Sequence, residues 1–307
     1  MDIFLQQLVN GLVLGSIYAL VALGYTMVYG ILGLINFAHG DICMIGALTA
    51  LAVAQALSAA GVPAPLTLAV ALLAALIVCI ALGVSIERVA YRPLRRAPRL
   101  APLITAIGVS ILLQYSAALV WGKQYLSMPE IVKPTAIAFG GAQLTDLQAF
   151  IFLLACTLMA GLLWFIKASR MGRAMRATEQ NPEVAGLMGV DTNRVIAFTF
   201  LLGSAIGAVA GVMVVLYYGL GHYFMGFMLG LKAFTAAVLG GIGNVAGAML
   251  GGLLLGVIES LASGYIGDLT GGVVGSNYRD VFAFLVLIAV LVFKPSGLMG
   301  RHVGERA

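Results

Sequence analysis

The chain has 307 residues, 62% hydrophobic and 9% charged, with a mean hydropathy of +1.06. That balance excludes a soluble domain and specifies a polytopic, all-α membrane protein, read as one transmembrane domain over residues 1–307. The net charge of +5 does not indicate nucleic acid, because 13 of the 17 Lys and Arg fall in segments 87–99, 167–194 and 294–306, the positive-inside pattern of loops and a C-terminus held in the cytoplasm.

The N-terminus, MDIFLQQLVNGLVLG, lacks a basic leader region and a small-residue cleavage site and reads as an uncleaved first span. A helical span needs ~20 apolar residues, and Leu8 to Tyr29 supplies them, with Gly11 and Gly15 one small-xxx-small step apart. Residues Gly30 to Asp41 are then interrupted by Asn36, His39, Gly40 and Asp41. Two readings stand: a short cytoplasmic turn, or a discontinuous helix whose backbone and polar side chains face a translocation path.

Spans follow at Ile42–Leu57 and Leu66–Ile86, joined by the turn Gly61-Val-Pro63-Ala-Pro65. Loop 87–99 carries five arginines and is read as internal, Ala101–Trp121 crosses back, and 122–147 is read as an external loop, either a partner contact or a passive linker. The run Ala149–Lys167 leads into the longest polar interruption, 168–194, with Arg170, Arg173, Arg176, Arg194, Glu179, Glu183 and Asp191. Its middle predicts a short helix near 182–188: Asn181 caps, Pro182 takes the first helical position, Glu183 sits at the positive end of the dipole and Gly189 stops it. Two readings stand: arginines that only anchor the loop on the cytoplasmic side, or a capped, charged helix at the membrane face that serves as a docking surface.

Val195–Tyr217 carries Gly203, Gly207 and Gly211 at four-residue spacing, a flat packing face. Lys232–Leu261 is ~45 Å long as one helix, too long for an untilted crossing. Gly240, Gly241, Gly243 and Asn244 divide it into two elements at a glycine hinge, and Gly247 and Gly251 extend the small-residue pattern. Glu259 is the one deep carboxylate, read as an interfacial residue near the outer end of its helix. Loop 262–279 is read as external and Val281–Phe293 as the last apolar run, with Lys294, Arg301 and Arg306 holding the C-terminus inside. The count is nine crossings with the N-terminus outside, or ten with it inside.

Catalytic patterns are missing: there is no HExxH, CxxC or GxSxG, three histidines do not support a metal centre, and without GxxxxGK[ST] the chain has no P-loop. No cofactor or metal is expected on it. Cys43, Cys79 and Cys156 lie in or beside apolar runs and read as packing residues.

The stretches Gly24-Tyr-Thr-Met-Val-Tyr-Gly30, Ile35-Asn-Phe-Ala-His-Gly40, Ser85-Ile-Glu-Arg-Val-Ala-Tyr-Arg-Pro93, Ser169-Arg-Met-Gly-Arg-Ala174 and Lys232-Ala-Phe-Thr-Ala-Ala-Val-Leu-Gly-Gly-Ile-Gly243 resemble the H-type permease of the high-affinity branched-chain amino acid ABC importers, in order along nearly the whole chain. The ending Pro295-Ser-Gly-Leu-Met-Gly300 is similar to that family too, while loops 122–147 and 262–279 depart from it. The resemblance implies a bacterial inner-membrane importer with about 8–10 membrane helices, some discontinuous or re-entrant, in the branched-chain amino acid/ribose permease class. It implies a second, homologous permease, two cytoplasmic ABC ATPases that bind ATP-Mg, and a periplasmic binding protein delivering leucine, isoleucine or valine. Coupling then falls to Arg173, Glu179, Pro182, Glu183, Ala185 and Gly189, the pathway to Asn36, His39, Gly40 and Asp41, and the hinge to Gly240, Gly241, Gly243 and Gly247. Related permeases carry urea, short amides or sugars, and an ion-coupled carrier built around Glu259 is the other alternative.

Overall fold

The computed structural model describes residues 2–95, 97–98, 100–129, 135–139, 141–269, 271, 278–294 and 296–300. Arg96, Arg99, Lys133, Pro295, Arg301 and Arg306, on which part of the charge and motif reading rests, lie outside the described residues. Among the described residues seven helices are long and apolar enough to cross a membrane, and two further apolar helices, Met225–Gly240 and Asp280–Phe293, are shorter. The chain is a multi-pass, all-α membrane protein whose contacts divide into two compact units.

The elements are α1 (Asp2–Leu32), α2 (His39–Ala59), α3 (Ala64–Ile86), α4 (Leu100–Trp121), β1 (Leu126–Ser127), β2 (Ala136–Phe139), β3 (Ala142–Thr145), α5 (Asp146–Ala168), α6 (Arg170–Gln180), α7 (Pro182–Leu187), α8 (Thr192–Tyr218), β4 (Leu220–Gly221), α9 (Met225–Gly240), α10 (Val245–Leu269) and α11 (Arg279–Phe293). Several boundaries differ from the sequence reading. Helix α1 runs through Gly30 and ends only where Gly33 turns left-handed, at φ 64°, because a helix stops at the residue that can adopt that conformation rather than at the first glycine. The 168–194 loop contains a second helix, α6, and α10 continues eight residues beyond Leu261. The 122–147 segment is partly strand: β2 and β3 pair antiparallel as a hairpin, with Gly141 at φ 96° in its turn.

One unit comprises residues 27–133 and 161–231. Its centre is the packing of α2, α3 and α8, and small residues bring the backbones together. A Cβ built on Gly46 would lie 2.7 Å from Cys79 Sγ and 3.2 Å from Ala208 Cα, while one on Gly211 would strike the Cys43 carbonyl. The core includes Ile42, Met44, Leu48, Tyr91 and Phe200, and short strands β1 and β4 pair the segments that follow α4 and α8.

The other unit comprises residues 1–26, 134–160 and 232–307. There α1 and α10 meet backbone to backbone: a Cβ on Gly11 would fall 2.7 Å from Val257 Cα and one on Gly15 2.8 Å from Leu253 Cα. Close approach of this kind forgoes side-chain volume for van der Waals contact, as membrane helices do when lipid supplies no hydrophobic drive. The β2–β3 hairpin is held by Gln6, whose side chain donates to the Gln143 carbonyl at 3.0 Å and accepts from its N–H at 2.7 Å.

Candidate functional site

The basic loops of the first unit are assembled by their own polar groups. Ser169 caps α6 by accepting from the Gly172 N–H at 2.8 Å. Arg176 then donates to the Ile166 carbonyl and Arg173 to the Ala168 carbonyl at 3.2 Å, which satisfies acceptors left open at the end of α5 and sets positive charge at the negative pole of that helix. Arg173 was read from sequence as a coupling residue; here it sits exposed and back-bonded to its own helix junction.

Asn181 separates α6 from α7. Its backbone is extended and its side chain accepts from both Glu183 N–H at 3.0 Å and Val184 N–H at 3.1 Å. Gly189, at φ 86°, ends the element. The six-residue helix is sharply two-sided: Ala185 is 4% exposed, whereas Leu187 is 87% and Met188 80% exposed, with Val184 beside them at 52%. Of the residues expected to couple, Ala185 faces inward, whereas the exposed tip is formed by Val184, Leu187 and Met188, which the capping pattern does not single out. Glu179, exposed at the end of α6, lies against Gly30, where a Cβ would come within 3.3 Å of its carboxylate oxygen. Gly30 therefore leaves room for a side chain instead of ending a helix.

Loop 87–99 meets the same region. Arg95 pairs with buried Glu87 and donates to Asn193 Oδ1 at 2.6 Å, at the start of α8. Burial pushes the Arg95 guanidinium below its ordinary pKa, against the opposing pull of Glu87.

The polar break between α1 and α2 is short, residues 33–38, and folded inward. Asn36 Oδ1 accepts from Tyr91 Oη at 2.9 Å and from Ala38 N–H at 3.2 Å, while its amide nitrogen is buried with no partner among the described residues. His39, Gly40 and Asp41 form the first turn of α2 and are buried. Asp41 accepts from Ser110 at 2.5 Å and from Gln114 at 3.2 Å, both on α4. Gly40 admits α9, since a Cβ there would strike the Gly226 carbonyl and lie 2.6 Å from Gly230 Cα. The four residues named as a pathway thus share one region, and Asp41 draws its partners from a helix that the sequence does not link to it.

In the second unit, α9 and α10 separate at 241–244 with Gly241 at φ 108° and Gly243 at φ 90°. Gly240 and Gly247 touch through their backbones, and Gly241 lies against Gly300. Leu298 and Met299 N–H groups donate to the carbonyls of Leu239 and Gly240 at 2.8 and 2.9 Å, so the segment after α11 closes the end of α9.

With this geometry in place, the sequence matches, over residues 7–291, the family described as branched-chain amino acid transport system / permease component. The chain belongs to that family. Among its curated relatives, the high-affinity branched-chain amino acid transport system permease protein LivH of Salmonella typhimurium is 47% identical, covering 99% of this chain and 97% of its own. The corresponding BraD protein of Pseudomonas aeruginosa is 48% identical over 99% and 98%. The probable branched-chain amino acid transport permease protein LivH of Methanocaldococcus jannaschii is 27% identical over 95% and 91%.

In this member of the branched-chain permease family, Glu259 has a partner that its sequence neighbourhood does not announce. It is fully buried and its Oε1 lies 2.7 Å from Lys232 Nζ, and Lys232 is itself only 6% exposed. The spacing of 27 residues across the glycine break hid the pair, because the two helices fold back antiparallel there.

Proposed function

We propose that this chain is a permease subunit of an ATP-driven importer that carries leucine, isoleucine and valine across the bacterial inner membrane, with its C-terminus in the cytoplasm. The observation that carries the reading is the identity of 47–48% over nearly the full length to permease proteins of high-affinity branched-chain amino acid transport systems. A second, homologous permease pairs with the chain, two cytoplasmic ABC ATPases bind ATP-Mg in place of any cofactor on this chain, and a periplasmic binding protein delivers the substrate.

The exposed apolar tip Val184, Leu187 and Met188 supports a docking role for α7. In this reading Pro182 and Glu183 start the lever, Ala185 roots it, Gly189 ends it, Glu179 links it to α1, and Arg173 holds its base. ATPase closure then moves α7 as a rigid body and tilts the packed spans, a hinge-type transition. Asn36, His39, Gly40 and Asp41 supply polar groups along the route, and the 240–247 glycines allow α9 and α10 to shift against each other.

The test is ATP-dependent uptake of labelled leucine by proteoliposomes holding the full complex, with competitors. Isoleucine and valine are expected to compete while urea and short amides do not. Competition by urea or an amide, or uptake that follows an ion gradient without ATP, would contradict the assignment.

A further inference from the structure

Helix α7 reaches α8 through a connection with no slack. Its C-terminus is a Schellman motif: the Gly189 and Val190 N–H groups donate to the Gly186 and Ala185 carbonyls, each at 3.0 Å, around left-handed Gly189. Asp191 follows at once as the cap of α8, accepting from the Arg194 N–H at 3.1 Å. A displacement of α7 is therefore delivered to the first turn of α8. There Asn193 Oδ1 accepts from Arg95 at 2.6 Å.

Arg95 in turn holds an unusual turn. Helix α3 continues into a single turn of π-helix, Glu87–Tyr91, closed by the Arg92 N–H on the Glu87 carbonyl. Such turns are rare and concentrate at functional sites. One residue more than an α-turn offsets the chain beyond it by ~100° about the axis, so opening or closing this turn changes where the residues after it face. Both of its end residues are buried and tied elsewhere: Glu87 to Arg95, and Tyr91 to Asn36, in the break before α2, at 2.9 Å. Helix α8 meets this segment twice with one face, because Asn193 and Phe200 stand seven residues apart, about two turns, the first on Arg95 and the second on the Tyr91 ring at 5.3 Å. A buried ion pair is weak as a stabiliser, since apolar residues of similar volume often serve a fold as well. A Glu87–Arg95 pair that also grips Asn193 is suited to fixing a geometry.

We infer that Asn193, Arg95, Glu87 and Tyr91 form a relay from α7 to Asn36 at the polar start of α2, with Arg95 and Tyr91 as positioning residues for transport. The inference rests on the docking reading of α7. Coupling between distant sites is carried by contiguous packed and hydrogen-bonded groups that have two arrangements, and the π turn is the element here that has a second one. Movement of α7 shifts Asn193, the Arg95–Glu87 pair passes the shift to the π turn, and Tyr91 moves Asn36. Asn36 sets the break immediately ahead of His39, Gly40 and Asp41, so nucleotide-driven motion reaches the route through α2.

The experiment uses the full complex in proteoliposomes with leucine-loaded binding protein, reading leucine imported per ATP hydrolysed. A variant that only weakens the fold removes working complexes, lowers import and hydrolysis together and leaves that ratio unchanged. Asn193→Ala and Tyr91→Phe are each expected to lower the ratio at least fivefold while loaded binding protein still stimulates hydrolysis. Asn193→Asp keeps an acceptor for Arg95 and is expected to retain more than half of it. Because both residues act in one chain of contacts, the double variant Asn193→Ala with Tyr91→Phe should fall no more than about twofold below the worse single variant. An unchanged ratio in either single variant, or losses that multiply in the double, overturns the relay. Retention of the ATPases by both Leu187→Asp and Met188→Asp would instead overturn the docking reading.

Discussion

Tyr91 Oη donates to Asn36 Oδ1 at 2.9 Å, which ties the break between α1 and α2 to the turn that follows α3, 55 residues away. Both side chains are 2% exposed. The same oxygen also takes the Ala38 N–H, so one carboxamide both shapes the break and anchors it. Tyr91→Phe keeps the ring packing on Phe200, with centroids 5.3 Å apart, and removes only the hydroxyl. It is expected to cost about 1–2 kcal/mol, read as a lower melting temperature of the purified protein; an unchanged melt would show that the bond contributes nothing.

Ser110 and Gln114 both donate to the buried carboxylate of Asp41. Ser110→Ala leaves that carboxylate short of a donor and should cost about 1.5–3 kcal/mol, the range for hydrogen bonds to charged groups. Uptake and thermal stability measured together separate the two roles of the cluster. Loss of transport with a normal melt assigns it to the route, whereas equal losses assign it to the fold.

Gly40 and Gly161 make a contrasting pair. A side chain at 40 meets the backbone of Gly226 and Gly230, whereas Gly161 has open space around its Cβ position. Gly40→Val should prevent α9 from docking and abolish a stable product in fluorescence-detected size-exclusion chromatography. Gly161→Ala should be neutral or gain up to ~1 kcal/mol from helix propensity.

The docking account separates residues that root α7 from residues that meet a partner. Asn181→Ala removes the cap and should cost ~1 kcal/mol locally, seen as faster amide exchange at Glu183 and Val184. Leu187→Asp and Met188→Asp, on side chains at least 80% exposed, should leave the melt of the isolated subunit within a degree or two and abolish co-purification with the ATPases. Ala185→Asp buries a charge and should damage the subunit itself. Retained ATPase binding by both tip variants would remove α7 as the docking element.

Features written in contiguous residues were legible in the sequence. Asn181-Pro182-Glu183 encodes a cap, and the glycines at 240–243 encode a break, because both act through the local backbone. Helix α6 was not legible as a separate element: its buried positions Gly172, Met175 and Thr178 are too small or polar to register as an apolar stripe. The stop after α1 was misplaced because Gly30 and Gly33 look alike in sequence, and only the approach of Glu179 to one and the left-handed backbone of the other distinguish them. Lys232–Glu259 and Asp41–Ser110 are pairings at long sequence separation, set by how helices return past one another, and neither residue type nor spacing announces them.

The most direct measurement is ATPase activity of the complex in nanodiscs, containing this chain, its partner permease and the two ATPases, with and without binding protein loaded with amino acid. The account predicts hydrolysis stimulated several-fold by binding protein carrying leucine, isoleucine or valine, and stimulation lost in Leu187→Asp. A chain that purifies without the ATPases, or hydrolysis indifferent to loaded binding protein, would contradict it.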